Sequence, residues 1–192
     1  MRLSLLPAVT TLLLASGGPP PMKVCACPDA RPFQPPTRPG SDGLRLQSRL
    51  RSIVDGLLWT SESDFPFEVF VIPGRGRPPP TRDDVKYRIA PVYRQRPDTM
   101  PLADRAVEVT TVDDVLQPRL WPRSDWGAED RRVGRRLEDL REVLVEELHG
   151  AQVFRIGPGD PYQGLSPDID VFFLGASDEG DLIGVATVSI ET

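Results

Sequence analysis

Residues 55–72 read DGLLWTSESDFPFEVFVI, and the change of character inside this stretch decides the fold. Just upstream, Leu46, Leu50, Ile53 and Leu57 recur at steps of four, three and four. That spacing is one apolar helical face. Arg45, Arg49 and Arg51 fall off it, and Ser41 or Asp42 is placed to cap its start. TSESDFP then forms a dense polar, acidic turn that ends at Pro66. Val69, Phe70, Val71 and Ile72 are apolar without alternation, which predicts a strand over 68–72 in the centre of a sheet covered by helices.

Working outward, PGRGRPPP at 73–80 breaks the pattern, and 85–92 reads as a second strand. A short strand follows at 107–109, then a short helix over 112–116 with Thr111 as its cap. Trp121 and Trp126 lie in a loop around Pro122. Val133, Leu137, Leu140, Leu144 and Leu148 mark the clearest helix, with Glu129 and Asp130 in its first turn, where the dipole favours acids. Gly150 is its expected stop. Three strands are predicted at 152–156, 169–174 and 182–190. Ser177-Asp178-Glu179-Gly180 turns between the last two, so they should pair antiparallel. Helices before and after the strands imply an α/β or α+β sandwich.

The chain has 192 residues, 39% hydrophobic and 27% charged, which suits one folded domain and a tail. Its 22 prolines crowd into 19–39 and 73–80. The expected division is a Pro-rich segment at 1–43, a targeting sequence plus linker, and a domain at 44–192. Residues 1–18, MRLSLLPAVTTLLLASGG, have the outline of a secretory signal. An organellar transit peptide and a start at Met22 fit equally, so the compartment stays open. The apolar run is too short to span a bilayer comfortably.

Net charge is −5; residues 44–192 hold 19 basic and 26 acidic residues. An acidic body argues against direct nucleic-acid binding, which needs a basic footprint, and fits a partner with a basic groove. The two cysteines, Cys25 and Cys27, both lie in the tail, too close together for an ordinary bridge. His149, the only histidine, falls at the end of the predicted long helix, beside its dipole. One histidine cannot build a multi-histidine zinc site, nor a His-based triad with a histidine to spare. No glycine-rich phosphate loop follows a strand, and no cofactor is implied. Asp168 and Asp170 face one side of their strand, which reads as a solvated or salt-bridged strand face; the alternative, a metal-dependent enzyme using Asp168, Asp170 and Glu191, lacks an accompanying nucleophile or base. The run Arg131, Arg132, Arg135 and Arg136, interleaved with acids, reads as a solvent-facing helix surface. Trp126 beside Asp125 has the character of a binding anchor. Glu191 and Thr192 follow directly on a strong strand, so groups there project from a rigid element.

The quoted block, with QVFRIG (152–157), DIDVFFLG (168–175) and GDLIGVATVSIET (180–192), resembles the nuclease A inhibitor family, inhibitors of a sugar-non-specific nuclease. The resemblance runs from about Leu44 to Thr192. It implies a three-layer α/β/α sandwich with a mixed, largely antiparallel sheet. It further implies a non-catalytic protein that plugs the active site of a magnesium-dependent DNA/RNA endonuclease. Glu62 matches the glutamate that meets arginines of the target. Asp125 and Trp126 match a DW pair on the contact surface. Thr192, after Glu191, matches the terminal threonine that reaches the target's magnesium, whose preference is for oxygen ligands. The Pro-rich tail, 73–105 and 158–167 depart from the family core. The alternative on the same fold is an interaction module with a different protein partner.

Overall fold

The computed structural model describes residues 38–74, 79–93, 105–120, 127–157 and 168–190. In chain order these form α1 (Ser41–Val54), β1 (Leu58–Thr60), β2 (Asp64–Pro66), β3 (Glu68–Ile72), α2 (Arg82–Asp84), a π-helical turn (Val85–Ile89), α3 (Ala90–Tyr93), β4 (Val107–Thr110), α4 (Val112–Leu120), α5 (Ala128–Glu146), β5 (His149–Ile156), β6 (Asp168–Ala176) and β7 (Leu182–Ile190). β1 and β2 make a small hairpin; the others form a five-stranded sheet in the order β3-β7-β6-β5-β4. The class is α+β, as expected. Every ladder among the described strands is antiparallel, so the sheet is not mixed. β5, β6 and β7 follow one another as a meander, and antiparallel neighbours need no helical crossover.

Alternation sorts the strand side chains into two apolar clusters. Val153, Val171, Phe173, Ile183 and Val185 pack with Leu46, Leu50 and Val54 of α1, Val112 and Leu116 of α4, and Leu137, Leu140, Val143 and Leu144 of α5. Phe70, Phe154, Phe172, Leu174 and Leu182 pack instead with Val85, Ile89 and Ala90. β3 therefore carries apolar residues of both clusters, Val69 and Val71 in one, Phe70 and Ile72 in the other. It nevertheless stands at one end of the strand order, not at its centre. An apolar run reports cover on both faces and is silent about neighbours in the sheet.

Three boundaries differ from the sequence reading. α1 stops at Val54, because Gly56 takes a φ of +67°, a left-handed conformation that glycine adopts without steric cost. Leu57 is buried, but from the link beyond the helix. Residues 85–92 are helical, not a strand: Thr81 Oγ1 accepts from Asp84 N at 3.2 Å while Thr81 N donates to Asp84 Oδ2 at 3.2 Å. This reciprocal capping starts a helix that buries Val85 and Ile89, four residues apart. α5 ends at Glu146, and His149 opens β5. The histidine is exposed, with Nε2 2.6 Å from Asp178 Oδ1, so its neighbour is a carboxylate and not a helix end. The α4 cap is as expected, with Asp114 N donating to Thr111 Oγ1 at 3.0 Å. The Thr111 hydroxyl, helped by Thr110, holds the Asp114 carboxyl below the usual carboxylate range.

The start of α1 is held from the far end of the chain. Its N-cap, Gly40, has no side chain to offer, and neither Ser41 nor Asp42 serves as the cap. Gly40 N donates to Asp181 Oδ2 at 2.8 Å, and Asp42 N to Glu179 Oε2 at 3.1 Å. Carboxylates from the β6–β7 turn thus meet the positive end of the helix dipole. Asp181, 1% exposed, also accepts from Gly74 N at 2.8 Å. A Cβ on Gly43 would lie 2.3 Å from Asp181 Oδ2, so glycine is what lets the helix approach the carboxylate. At the other end of α1, Arg136 donates to Ile53 O at 2.9 and 2.6 Å and also to Asp55 O. Arg131, Arg132 and Arg135 are exposed as expected, but Arg136 is a clamp on the α1 terminus.

Candidate partner-binding site

What the sequence presents as one turn, TSESDFP, is a hairpin in which Leu58 pairs with Pro66, Trp59 with Phe65 and Thr60 with Asp64. Alternation sends Trp59 inward and leaves Leu58 and Thr60 exposed. The Trp59 ring meets Phe67 at 6.0 Å and Phe173 at 5.7 Å, both edge-on. Aromatic rings prefer such contacts because the ring edge is positive and the face negative. An indole of this size roots an otherwise marginal three-residue hairpin in the main core.

Arg119, near the end of α4, closes over the root. Its guanidinium carbon lies 3.7 Å from the Trp59 ring centroid, a cation–π contact. Nη1 donates to Thr60 O at 2.5 Å. Leu58, Trp59, Thr60, Pro118, Arg119, Asp130, Val133 and Leu137 line a groove of about 340 Å³ between the hairpin, the end of α4 and the first turns of α5.

The end of β7 also meets the hairpin. β3 pairs with β7 only as far as Glu68 opposite Ala186, whereas β7 continues to Ile190 along β6. Beyond Ala186, β7 has outrun β3 and the hairpin supplies partners. Thr187 Oγ1 donates to Pro66 O at 3.1 Å, and Ile190 N donates to Ser61 Oγ at 2.9 Å. Ser61 N and Ser61 Oγ both donate to Ser63 O, at 3.1 and 3.2 Å. Glu62 sits at the tip of this tethered turn and is exposed, as are Ser63 and Asp64.

Of the residues singled out in the sequence, Glu62 is therefore placed. Asp125, Trp126, Glu191 and Thr192 lie outside the described residues. Their described neighbours do come together. The stretch 121–126 joins α4, whose Arg119 holds Thr60, to α5, whose Asp130 lines the same groove. Ile190, which precedes Glu191, is bonded to Ser61. Trp59, Ser61 and Arg119 escaped the sequence reading. A strand-like W-T beside the turn is the one local signal that marks Trp59; the other two act on partners 129 and 59 positions away.

Asp168 and Asp170 do share a face, the one carrying Phe172 and Leu174. Asp170 is buried and not solvated. Among the described residues, no group of three or more His, Cys, Asp or Glu side chains is arranged to hold a metal ion. None of the described helices is long and apolar enough to cross a membrane. A family model described as nuclease A inhibitor-like protein matches residues 45–192. No curated protein matches the chain.

Proposed function

The chain belongs to the nuclease A inhibitor-like family, and on that premise we propose that it binds and plugs the active site of a magnesium-dependent endonuclease that cuts DNA and RNA. It catalyses nothing itself and needs no cofactor. The observation that carries this reading is an exposed Glu62 at the tip of a hairpin bonded both to α4 and to the last residue of β7. A carboxylate on a short, tethered turn loses little conformational freedom on binding. It can also stand in for a backbone phosphate before arginine forks of the target, which bind either group bidentately.

In this reading Asp125 and Trp126, which follow α4 in sequence, supply further contacts to the target. Glu191 and Thr192, which follow β7 in sequence, supply others in the same reading, the oxygens of Thr192 being suited to the magnesium of the target. The acidic charge of residues 44–192 favours approach to a nuclease whose own cleft is basic for nucleic acid.

The test is inhibition of DNA and RNA cleavage by the wild type and by Glu62→Ala, with affinity measured directly by calorimetry. Truncating one partner of a desolvated charge pair should weaken binding by about 2–5 kcal/mol. The melting temperature should stay within a degree or two of the wild type, as for exposed substitutions generally. An unchanged dissociation constant with a lowered melting temperature would make Glu62 a turn-stabilising acid and remove it from the surface.

A further inference from the structure

We propose that Ser61 is a positioning residue for this surface: its hydroxyl couples the turn that carries Glu62 to the end of β7, so the two contact elements move as one unit. The inference rests on the inhibitory reading above and adds to it a residue that need not touch the target. The argument starts from the unequal lengths of two strands. β3 ends its pairing opposite Ala186, yet the ladder between β6 and β7 runs on to Asp168 opposite Ile190. The edge of β7 beyond β3 carries backbone groups that a neighbouring strand would otherwise satisfy.

Ser61 Oγ takes the place of that missing strand for the Ile190 amide, at 2.9 Å. The same hydroxyl donates to Ser63 O at 3.2 Å, so a single oxygen both shapes the turn and grips the strand. Ser61 is half-buried while Glu62 beside it is exposed. A neighbouring bond, Thr187 Oγ1 to Pro66 O, steadies β2 against the same strand. Arg119 of α4 holds Thr60 O, one residue before Ser61. The turn is thus tethered to α4 through Thr60 and to β7 through Ser61, and the Ser61 bond joins it to the last residue of β7.

The decisive comparison is Ser61→Ala, which removes the acceptor, against Ser61→Thr, which keeps a hydroxyl. Backbone amide exchange of the full chain is followed by NMR alongside inhibition of a purified magnesium-dependent endonuclease that cuts DNA and RNA. In Ser61→Ala the Ile190 amide should exchange roughly tenfold faster or more, while amides of central β6 keep their protection, because opening is local to the tether. Inhibition should weaken by about tenfold through lost preorganisation, and Thr should restore both readings. Combined with Glu62→Ala, Ser61→Ala should cost less than it does alone, as residues acting as a unit are not additive.

An Ile190 amide that exchanges no faster in Ser61→Ala would overturn the coupling, whatever the nuclease does. Faster exchange with undiminished inhibition would overturn the positioning role. Loss of inhibition that Thr fails to restore, with a broadened unfolding transition, would make Ser61 a folding residue and overturn it too. If the wild type inhibits no such endonuclease, the inhibitory reading fails, and the Ile190 amide still decides the tether.

Discussion

Two turns of this molecule are rich in acids, and they use them in opposite ways. In the β6–β7 turn, Asp181 is 1% exposed and takes two backbone N–H groups, from Gly40 and Gly74. Glu179 caps α1, and Asp178 pairs with His149. In the β1–β2 turn the work of anchoring falls to hydroxyls, a carbonyl and a guanidinium: Ser61, Thr187, Thr60 O and Arg119. Glu62 and Asp64 are left at the surface. One corner commits its carboxylates to groups elsewhere in the chain, Asp181 from a buried position, and the other leaves Glu62 and Asp64 exposed on a turn whose described bonds come from different groups. Stability and recognition should accordingly fail separately when each corner is altered.

The change that should break this separation is Trp59→Ala, since Trp59 is both core and hairpin root. Removing so large a buried side chain should destabilise the fold by about 3–5 kcal/mol. Inhibition should fall as well, because the hairpin loses its root and Arg119 its ring. Chemical denaturation and an inhibition assay on the same preparation would check both, and full inhibition by the variant would show that the hairpin is held without its indole.

Asp181→Ala should sharpen the contrast. It strands the buried amide of Gly74 and takes from the α1 start one of its two carboxylates, the acceptor of Gly40 N, at about 3 kcal/mol in all, given that each unsatisfied buried group costs ~1–3 kcal/mol. For a chain of this size that is a fall in melting temperature of roughly 6–12 °C. Inhibition measured well below the melting temperature should match the wild type. A weakened inhibitor there would mean that the two corners are energetically linked through β7.

Deleting Thr192 should give the mirror image at smaller scale. Inhibition should weaken by about 10- to 100-fold, equivalent to ~1.4–2.8 kcal/mol, with no shift in thermal melting. A carboxyl-terminal tag should act similarly. Equal inhibition by wild type, deletion and tagged protein would exclude a role for the chain end at the magnesium of the target.

The sequence disclosed those parts of the fold whose cause is local. β7 spans the 182–190 that its apolar run predicts, and α5 carries its periodic leucines inward. Thr111 caps α4 as its position beside an apolar run suggests. The misreadings share a different origin. Residues 85–92 look like a strand because Val85, Tyr87, Ile89 and Val92 suit strands, while the deciding signal is the reciprocal Thr81–Asp84 cap just outside them. β3 reads as central because helices cover both its faces, which its composition reports faithfully; its place in the strand order depends on β7. At the candidate site, the acidic turn stands out in the sequence by its own composition, and the family resemblance singles out Glu62 within it. Ser61 and Asp181 were not legible at all, because their partners lie 129, 141 and 107 positions away.

The register of β3 on β7 also bears on how the chain is made. Ile72 pairs with Leu182, 110 positions later, and α1 is capped by residues of the β6–β7 turn. During synthesis α1, the hairpin and β3 emerge well before their ladder partner and their cap. Phe70, fully buried in the finished fold, must wait in the nascent chain without the strands that cover it. Pairing over so long a separation closes a costly loop and is slow. The meander of β5, β6 and β7 can form by local contacts, and the early segment then docks onto it. Synthesis that pauses before β7 leaves an apolar strand waiting at the stage when aggregation competes best with folding.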